Sequence, residues 1–463
     1  MANTSSVKTV TEPARTLPVY GEFDVVVVGG GPAGLAASVS AARHGARVLL
    51  VERYGFLGGM GTAGGVTNFA GLYGRKNGEM RQVVHGVVDD LLDRIDALGG
   101  LNAPQDGMQG RIRVRSYDVS AFKCAADQLV LAAGVQLLFH AWAAAVLMQG
   151  KRITALVVET KSGRQAVRAD RFIDCSGDAD VAHFAGVPFG LGDGQGSGLF
   201  PTTMFRIGHV DAPQALAAVG EFKAINTFMA QSQAKAPGRY RFPREGAILR
   251  PQKNATEWRA NVTQIANAGG TAMDATDARQ LSDGEVEGRR QITDYFSFLR
   301  HEVPGFTQSA IVDIAAQIGV RETRRIQGDY VLTGDDILCS RRFDDAIGIN
   351  AWPMELHAAG RIDWQFPHNW DLPAALQGRV YNDLPWRMLV TRSVDNLLVA
   401  GRCASMTHEG QSAARVSGGC FVMGQAAGTA AAQLGNGQSF VHTDVRQLQQ
   451  VLRQDGAYLD DPT

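Results

Sequence analysis

A glycine-rich turn between an apolar strand and a small-residue helix constrains the fold of this chain more than any other feature. The turn at residues 29–34 has the GxGxxG spacing, follows a strand predicted over residues 23–28 and opens a helix predicted over residues 32–44. A second apolar strand, predicted over residues 47–51, completes a βαβ unit. Glu52 comes directly after it, where a carboxylate accepts hydrogen bonds from the ribose hydroxyls of an adenosine. The sequence therefore predicts a Rossmann-like α/β domain that binds a dinucleotide.

The turn has the residue types that a bound pyrophosphate requires. Gly29 allows the tight turn, Gly31 lets the backbone reach the pyrophosphate, and Gly34 allows the helix to pack closely on the strand. The helix begins at Pro32 and Ala33, and its N-terminus stabilises the negative charge of the phosphates. We take these five residues and Glu52 as the first cofactor-binding candidates.

Charge and composition exclude several classes of partner. The chain carries 45 basic and 46 acidic side chains, whereas nucleic acids and anionic membranes require a strongly basic surface. The apolar runs are too short to span a bilayer, and the first residues show no signal-peptide pattern. The five cysteines are far apart and form no CxxC motif. We therefore expect a cytoplasmic protein with no membrane span, no disulfide framework and no metal site.

The sequence changes in character along the chain, and these changes predict its domains. Residues 1–20 are polar and predict a flexible N-terminal arm. The middle has more prolines and most of the tryptophans, and the early glycine-rich character returns after it. The predicted divisions are residues 21–200, the first part of the cofactor-binding domain; 201–384, an inserted α+β substrate domain; 385–440, the second part of the cofactor-binding domain; and 441–463, a C-terminal tail or helix.

Local patterns predict several elements inside these divisions. Apolar periodicity predicts helices over residues 81–98 and 117–133. Short alternating runs between residues 143 and 167 predict a β-meander, followed by a separate strand over residues 171–175. A polar stretch near residues 270–290 predicts a mobile loop.

Three further segments favour FAD over NAD as the dinucleotide. The glycine-rich residues 58–65 suit a backbone that passes along a pyrophosphate and a flavin ring. The strand that ends in Ser176-Gly177-Asp178 matches the second phosphate-side strand of FAD enzymes. A helix over residues 418–434 would direct its N-terminus at flavin N1 and the C2 carbonyl and stabilise the reduced anion. These segments supply the remaining cofactor-binding candidates, which are Arg53, Gly58, Gly59, Met60, Thr62, Trp142, Ser176, Gly177, Asp178, Gly401, Arg402, Arg415, Val416 and Ser417.

Over nearly its whole length the chain resembles the FAD-dependent oxidoreductase family related to succinate dehydrogenase and fumarate reductase flavoproteins, within the glutathione-reductase-like superfamily. The resemblance is carried by residues 24–34 (DVVVVGGGPAG), 52–60 (ERYGFLGGM), 176–180 (SGDAD), 318–325 (IGVRETRR), 352–357 (WPMELH) and 396–403 (NLLVAGRC). It implies an FAD-binding Rossmann-like domain, with a parallel sheet and a β-meander, that is split in sequence by the substrate domain. The respiratory relatives attach FAD through a histidine in the glycine-rich segment. Because no histidine lies between residues 45 and 84, we expect non-covalent FAD, and Cys403 leaves the question of a covalent or redox role open.

Flavin chemistry requires a base for one proton and often a cation for an acidic substrate. Arg321 lies in the segment that the resemblance places near the substrate face of the flavin, although it and its neighbouring arginines also suit an ion-pair cluster. His357 and His408 are candidate acid–base groups, and each also suits a structural role. Arg402, in the flavin-side turn, completes the catalytic candidates. The four tryptophans at positions 352, 364, 370 and 386 suit either a substrate pocket or a core.

The function predicted first is a dehydrogenase or oxidase that transfers a hydride from a small organic substrate to flavin N5 and passes electrons to O2, a quinone or an electron-transfer protein. The alternatives are a single-component flavin monooxygenase and a non-redox flavoprotein such as an isomerase or hydratase. No second GxGxxG unit follows the first, which disfavours a separate NAD(P)H domain.

Overall fold

The computed structural model describes residues 9–220, 224–246, 248–435 and 437–460. The first part of the chain alternates strands with four helices. Its strands are β1 (Val19–Val28), β2 (Val48–Val51), β3 (Asn68–Phe69), β4 (Tyr73–Lys76), β5 (Glu79–Gln82), β6 (Gln105–Gly107), β7 (Ile112–Ser116), β8 (Gln136–Leu138), β9 (Trp142–Gln149), β10 (Arg152–Thr160), β11 (Gly163–Asp174) and β12 (Phe189–Gly190). Its helices are α1 (Pro32–Arg43), α2 (Val87–Ala97), α3 (Val119–Ala132) and α4 (Asp180–Phe184).

The middle and the end of the chain supply the remaining elements. The strands are β13 (Phe205–Gly208), β14 (Ile248–Pro251), β15 (Trp258–Asn261), β16 (Ala310–Ile314), β17 (Arg325–Ile326), β18 (Ala346–Asn350), β19 (Met354–Ala358), β20 (Arg361–Gln365), β21 (Asn382–Pro385) and β22 (Leu397–Val399). The helices are α5 (Ala212–Val219), α6 (Ile225–Lys235), α7 (Ala278–Glu302), α8 (Gly334–Leu338), α9 (Ala374–Gln377), α10 (His408–Ala414), α11 (Ser417–Gln433) and α12 (Val445–Gln454).

A seven-stranded sheet carries the glycine-rich turn. Its order is β8-β2-β1-β11-β10-β9, and β22 also pairs with β11. Strands β8, β2, β1, β11 and β22 are parallel, whereas β11, β10 and β9 form an antiparallel meander. The C-terminal end of β11 lies between β1 and β22, with Phe172 opposite Leu397. Both ends of the chain therefore build one sheet, which confirms the predicted split α/β fold.

Helices α1 and α11 cross in direct backbone contact beside this sheet. A Cβ atom at Gly424 would lie 2.1 Å from the carbonyl oxygen of Ala33, and one at Gly428 would lie 2.1 Å from that of Ala37. Because real Cβ atoms do not approach so closely, only glycine fits at either position. The two helices therefore run in the same direction, and α11, which starts at Ser417, begins about two turns before its contact with Ala33.

The middle of the chain forms a second, antiparallel sheet with the order β14-β15-β13-β16. Residues of the long helix α7, such as Tyr295 and Phe298, share one apolar cluster with Trp258 of β15 and with Phe306. The hairpin β19–β20 and the antiparallel pair β18–β21 form two further small sheets. This mixed region agrees with the inserted α+β part of the predicted fold class, and its role in binding a substrate stays a prediction.

Several local expectations were wrong. The helix predicted from residue 81 begins at Val87, because β5 occupies the earlier residues and Gly86 has φ +95°. The mobile loop predicted near 270–290 overlaps α7, whose first turn is capped by the Asp277 side chain as it accepts from the Gln280 amide at 2.8 Å. The third meander strand and the strand predicted after it are one continuous strand, β11.

At the two ends of the chain, the described residues 9–18 form neither helix nor strand. Residues 1–8 of the predicted arm lie outside the described residues. Helix α12 occupies the region predicted as a tail or helix. Among the described residues, no helix combines the length and the apolar character that crossing a membrane requires.

Candidate cofactor and substrate site

A cavity of about 320 Å³ extends from the glycine-rich turn to the antiparallel sheet. Most of the candidate residues line it. They are Gly29, Gly31, Pro32, Ala33, Glu52, Arg53, Gly59, Met60, Ser176, Gly177, Arg321, His357, Gly401, Arg402, Arg415, Val416 and Ser417. The structure thus brings together residues that are almost 400 positions apart in the sequence, such as Gly29 and Ser417.

Glu52 forms the end of the cavity that suits an adenosine. One of its carboxylate oxygens accepts the Gly30 amide at 2.7 Å, and the other accepts the Tyr54 amide at 2.9 Å. Each carboxylate oxygen has a second lone pair, so both can still accept a ribose hydroxyl. Burial raises the pKa of Glu52, although both backbone amides act in the opposite direction.

The backbone around Gly31 forms an open cradle. Gly29 has φ +99°, and a Cβ there would lie 2.3 Å from the carbonyl oxygen of Cys175, so the turn itself requires glycine. At Gly31 a Cβ would meet only the Cα of Gly59, at 3.6 Å, and its φ is an ordinary −74°. The fold therefore does not require glycine at position 31, whereas a pyrophosphate against the backbone does. These residues fit FAD.

A network of hydrogen bonds fixes the second loop of the cradle. The buried carboxylate of Asp174 accepts the amide and the hydroxyl of Ser176, at 3.0 and 2.6 Å. Arg402 donates to the carbonyl of Gly177 at 2.8 Å and to the carboxylate of Asp178 at 2.7 Å. A further donor of Arg402 contacts the carbonyl of Val320. The guanidinium of Arg402, a catalytic candidate, thus connects three backbone segments around the cavity.

The N-terminus of α11 forms the opposite wall. The Ser417 hydroxyl donates to the Ala70 carbonyl at 3.0 Å and accepts the Ala70 amide at 2.9 Å, so it is engaged by the protein. Val416 is the N-cap residue, and it lines the cavity together with Ser417, while the Gly418 amide donates to the Ala70 carbonyl at 2.9 Å. This position suits the negative charge that a reduced flavin develops.

Glu355 and His357 lie together on β19 at the substrate side of the cavity. Nε2 of His357 lies 3.1 Å from Oε1 of Glu355, and the indole nitrogen of Trp352 donates to Oε2 at 3.1 Å. Both oxygens of this carboxylate are therefore engaged. Nδ1 of His357 is buried and has no hydrogen-bond partner among the described residues.

The charges around this pair set its protonation. Burial lowers the pKa of His357 well below its ordinary value, and the charge of Arg321 acts in the same direction. Burial opposes ionisation of Glu355, but the contact with His357 and the charges of Arg415 and Arg321 prevail and lower the pKa of this carboxyl. The arrangement therefore holds a neutral imidazole against an ionised carboxylate.

Arginines dominate the charged lining of the substrate side, which includes Arg250, Arg259, Arg321 and Arg415. Arg321 donates to the Phe200 carbonyl at 2.6 Å and to the Thr202 hydroxyl at 2.7 Å. Its two neighbours are engaged elsewhere, because Arg324 pairs with Asp180 and Arg325 pairs with Glu322. Only the first of the three predicted arginines reaches the cavity lining.

Six candidates lie outside the cavity lining: Gly34, Gly58, Thr62, Trp142, Asp178 and His408. A Cβ at Gly34 would lie 1.7 Å from the carbonyl oxygen of Gly29, which agrees with the close packing expected there. The Thr62 hydroxyl donates to the Leu57 carbonyl at 2.7 Å. Trp142 is 56% exposed, and the guanidinium of Arg53 lies over its ring, 5.5 Å from the ring centroid. His408 is the first residue of α10, and its Nδ1 lies 2.8 Å from a Glu322 oxygen.

The tryptophans divide between the two roles considered for them. Trp352 and Trp364 line the cavity, in T-shaped contact with ring centroids 5.9 Å apart. Trp370 and Trp386 are buried outside the lining. Cys403 is fully buried in an apolar cluster and is likewise absent from the lining.

The sequence reasoning missed two contributions to the cavity. Arg259 and Asn261 reach it from alternate positions of β15, and the hairpin β6–β7 covers it with residues such as Met108 and Ile112. The period of two on β15 was a usable signal, whereas the hairpin has no sequence motif. Among the described residues, no group of three or more His, Cys, Asp or Glu is placed to hold a metal ion.

A sequence model of the family described as "FAD dependent oxidoreductase" matches residues 24–452. Among curated proteins, dihydrolipoyl dehydrogenase from Trypanosoma brucei brucei is 49% identical over 45 residues, which cover 10% of this chain and 9% of that protein. Hydrogen cyanide synthase subunit HcnB from Pseudomonas protegens is 33% identical over 145 residues, which cover 30% of each protein. The chain spans less than a third of the length of these curated relatives.

Similar solved structures include a geranylgeranyl bacteriochlorophyll reductase-like protein from Thermoplasma acidophilum. It has a TM-score of 0.48 and 13% identity, and the match covers 94% of this chain and 83% of that chain. Anhydrotetracycline hydroxylase from Streptomyces rimosus has a TM-score of 0.42 and 14% identity over 93% of this chain and 65% of its own. Neither likeness bears on what this chain oxidises.

Proposed function

Because the chain belongs to the FAD dependent oxidoreductase family, we propose that it is a dehydrogenase or oxidase that removes a hydride and a proton from a small organic substrate. The substrate binds between the FAD cradle and the antiparallel sheet, where the cavity is lined by Glu355, His357 and Arg321. FAD, when bound, accepts the hydride at N5 of its flavin ring. The residues of the chain then have to hold the substrate and take its proton.

The observation that carries this proposal is the contact between Glu355 and His357. A carboxylate at Nε2 favours the tautomer in which Nε2 carries the proton and donates it to Glu355. The lone pair of the neutral ring then lies at Nδ1, the nitrogen without a partner among the described residues. We assign His357 Nδ1 as the base, and Glu355 as the residue that orients the ring.

The position of the pair is fixed from several sides, as general base catalysis requires. The backbone carbonyl of His357 accepts the Phe200 amide at 3.0 Å, and the Trp352 indole holds the second oxygen of Glu355. The Arg321 guanidinium disfavours a proton on the ring before substrate binds. A negatively charged substrate beside these cations would raise the basicity of His357 when the proton has to move.

The test is a substrate screen with the purified FAD-loaded protein under anaerobic conditions. We expect a class of small organic compound to bleach the flavin without NAD(P)H, and expect His357→Gln to retain FAD but to bleach far more slowly. O2, a quinone or an electron-transfer protein is then added separately to the reduced enzyme. The compound that restores the yellow colour of the flavin is the electron acceptor.

Two results contradict the proposal and identify its alternatives. Bleaching by NAD(P)H, followed by incorporation of an oxygen atom from O2 into an added substrate, assigns a flavin monooxygenase. Conversion of a substrate with no net change of flavin redox state and no acceptor assigns a non-redox flavoprotein.

A further inference from the structure

Arg415 differs from the other cationic side chains of the cavity because no residue that the structure describes accepts a hydrogen bond from its guanidinium group. Its Nε and Nη2 atoms are shielded from solvent and have no hydrogen-bond partner among the described residues. In contrast, Arg321 donates to Phe200 and Thr202, and Arg259 donates to the Val66 carbonyl at 2.5 Å. Arg250 donates to backbone carbonyls as well.

Glu355 also lines the cavity, but its carboxylate does not pair with Arg415. Both oxygens of Glu355 are engaged, one by His357 and the other by Trp352. Burial lowers the pKa of Arg415, as it does for Arg321 and Arg259, but those two guanidinium groups have carbonyl or hydroxyl acceptors. A shielded guanidinium is costly unless an anion accepts from it, and Arg415 is also one of the residues that line the cavity.

The cavity that Arg415 lines also has flat, apolar surfaces. Trp352 and Trp364 form one wall, and Phe69 and Tyr117, with ring centroids 4.4 Å apart, form another. Met108 and Ile112 of the β6–β7 hairpin cover the same space. Aromatic walls of this kind favour a planar apolar group, which they contact by stacking or edge-to-face packing.

We propose that the substrate is a monocarboxylic acid with an aromatic or similarly flat apolar body, whose carboxylate binds Arg415 and whose body lies between the aromatic walls. A single guanidinium without an acceptor fits one anionic group, and the remaining arginines are held by the protein itself. This inference rests on the proposed function for the location of the substrate, because it places the substrate in the cavity beside the FAD cradle.

Equilibrium binding to the FAD-loaded protein tests the inference without turnover. Benzoate, its neutral amide benzamide and the small anion acetate are titrated while the flavin absorbance and the tryptophan fluorescence are followed. We expect benzoate to bind at least about 10-fold more tightly than benzamide, because of the charge-assisted hydrogen bonds, and more tightly than acetate, because of the walls. Equal affinity for benzoate and benzamide would overturn the carboxylate assignment.

Variants locate the two interactions. Arg415→Gln should weaken benzoate binding by about 10- to 100-fold and leave benzamide binding unchanged, with Arg415→Lys intermediate. Trp364→Ala should remove the preference of benzoate over acetate. Arg361→Gln is the matched control, because Arg361 is on the same hairpin as Trp364 but its side chain is 64% exposed and pairs with Asp363.

The outcomes separate this inference from the proposed function. If Arg415→Gln loses FAD or changes the flavin spectrum and keeps the preference for benzoate, Arg415 binds the cofactor and the inference is wrong. If benzoate binds through Arg415 and no organic compound bleaches the flavin, the inference stands and the proposed function fails. If Arg415→Gln does not fold, the comparison of the three probes on the unmodified protein and on Arg415→Lys decides.

Discussion

Nε2 of His357 lies 3.1 Å from Oε1 of Glu355, and Nδ1 of the same buried ring has no hydrogen-bond partner among the described residues. Both residues are on β19, two positions apart, so the strand directs them to the same side. The base that we propose and the group that orients it thus lie on one rigid element.

Replacing His357 by Gln should lower kcat by roughly 100- to 10,000-fold, which is the range for loss of a general base. The FAD content should not change, because no backbone of the cradle is altered. Steady-state kinetics together with the visible flavin absorbance measure both. A normal kcat in His357→Gln would show that another group takes the proton.

The pH dependence of kcat/KM reports the protonation of the free enzyme. Because the pKa of His357 is lowered and the base must be unprotonated, activity should fall only at pH values below the ordinary histidine pKa of about 6.5. The charge of Glu355 raises the pKa of His357. Glu355→Gln should therefore move the acid limb to still lower pH and also reduce kcat, and an unchanged limb would contradict the coupling.

Gly31 should be required by the cofactor and not by the fold. Gly31→Ala places a Cβ 3.6 Å from its nearest neighbour, so urea unfolding of the apoprotein should change by less than about 0.5 kcal/mol while FAD affinity falls sharply. Glu52→Ala should also strip FAD. Gly29→Ala is the contrasting variant, because φ +99° and a contact of 2.3 Å should destabilise the apoprotein itself. Normal FAD binding by Gly31→Val would refute the assignment of the pyrophosphate site.

FAD should be released when the protein is denatured with acid. Cys403 is fully buried outside the cavity lining, and His357 is the histidine that lines the cavity among the described residues. Neither is in the glycine-rich segment. Yellow supernatant and colourless precipitate after acid treatment are expected, and flavin that remains with the polypeptide through gel electrophoresis would show a covalent bond.

Gly424→Ala should destabilise the protein by about 2–3 kcal/mol, because the added Cβ would lie 2.1 Å from the carbonyl oxygen of Ala33. The helices would have to separate, which displaces the N-termini that line the cavity, so FAD affinity should fall as well. Gly437→Ala serves as a control, since its Cβ meets nothing within 4 Å and costs only the strain of φ +78°. Thermal unfolding of the apo and FAD-loaded forms distinguishes the two effects.

The sequence predicted those parts of the molecule that follow local rules. Gly29, Gly34 and Glu52 have roles set by a single βαβ unit, and their spacing alone indicates them. The glycine-rich character that returns after the middle of the chain predicted the split sheet, and β22 does pair with β11. The prediction of a mobile loop near residues 270–290 was wrong because the polar residues there were taken as a sign of mobility. Many of them are polar because one face of α7 is exposed to solvent.

The substrate side was harder to predict because long-range contacts decide it. Arg402 and Arg321 look alike as cations in the sequence, yet the structure engages one with Gly177 and Asp178 and places the other beside His357. No local pattern shows that Arg415 has no acceptor, because that fact depends on Glu355 being engaged by Trp352 and His357. Pairing of buried charges is a property of the assembled fold.

Because strands from both ends of the chain build one sheet, this sheet is completed late in synthesis. Strand β22 and helix α11 leave the ribosome only after the middle of the chain. Until then β11 lacks β22 as a neighbour, and α1 lacks α11, the helix that packs against it. Domains fold as units during synthesis, and this unit is incomplete until residue 428 has emerged. FAD is therefore captured near the end of translation or after release, and a chain truncated within the middle domain should neither retain the flavin nor escape aggregation.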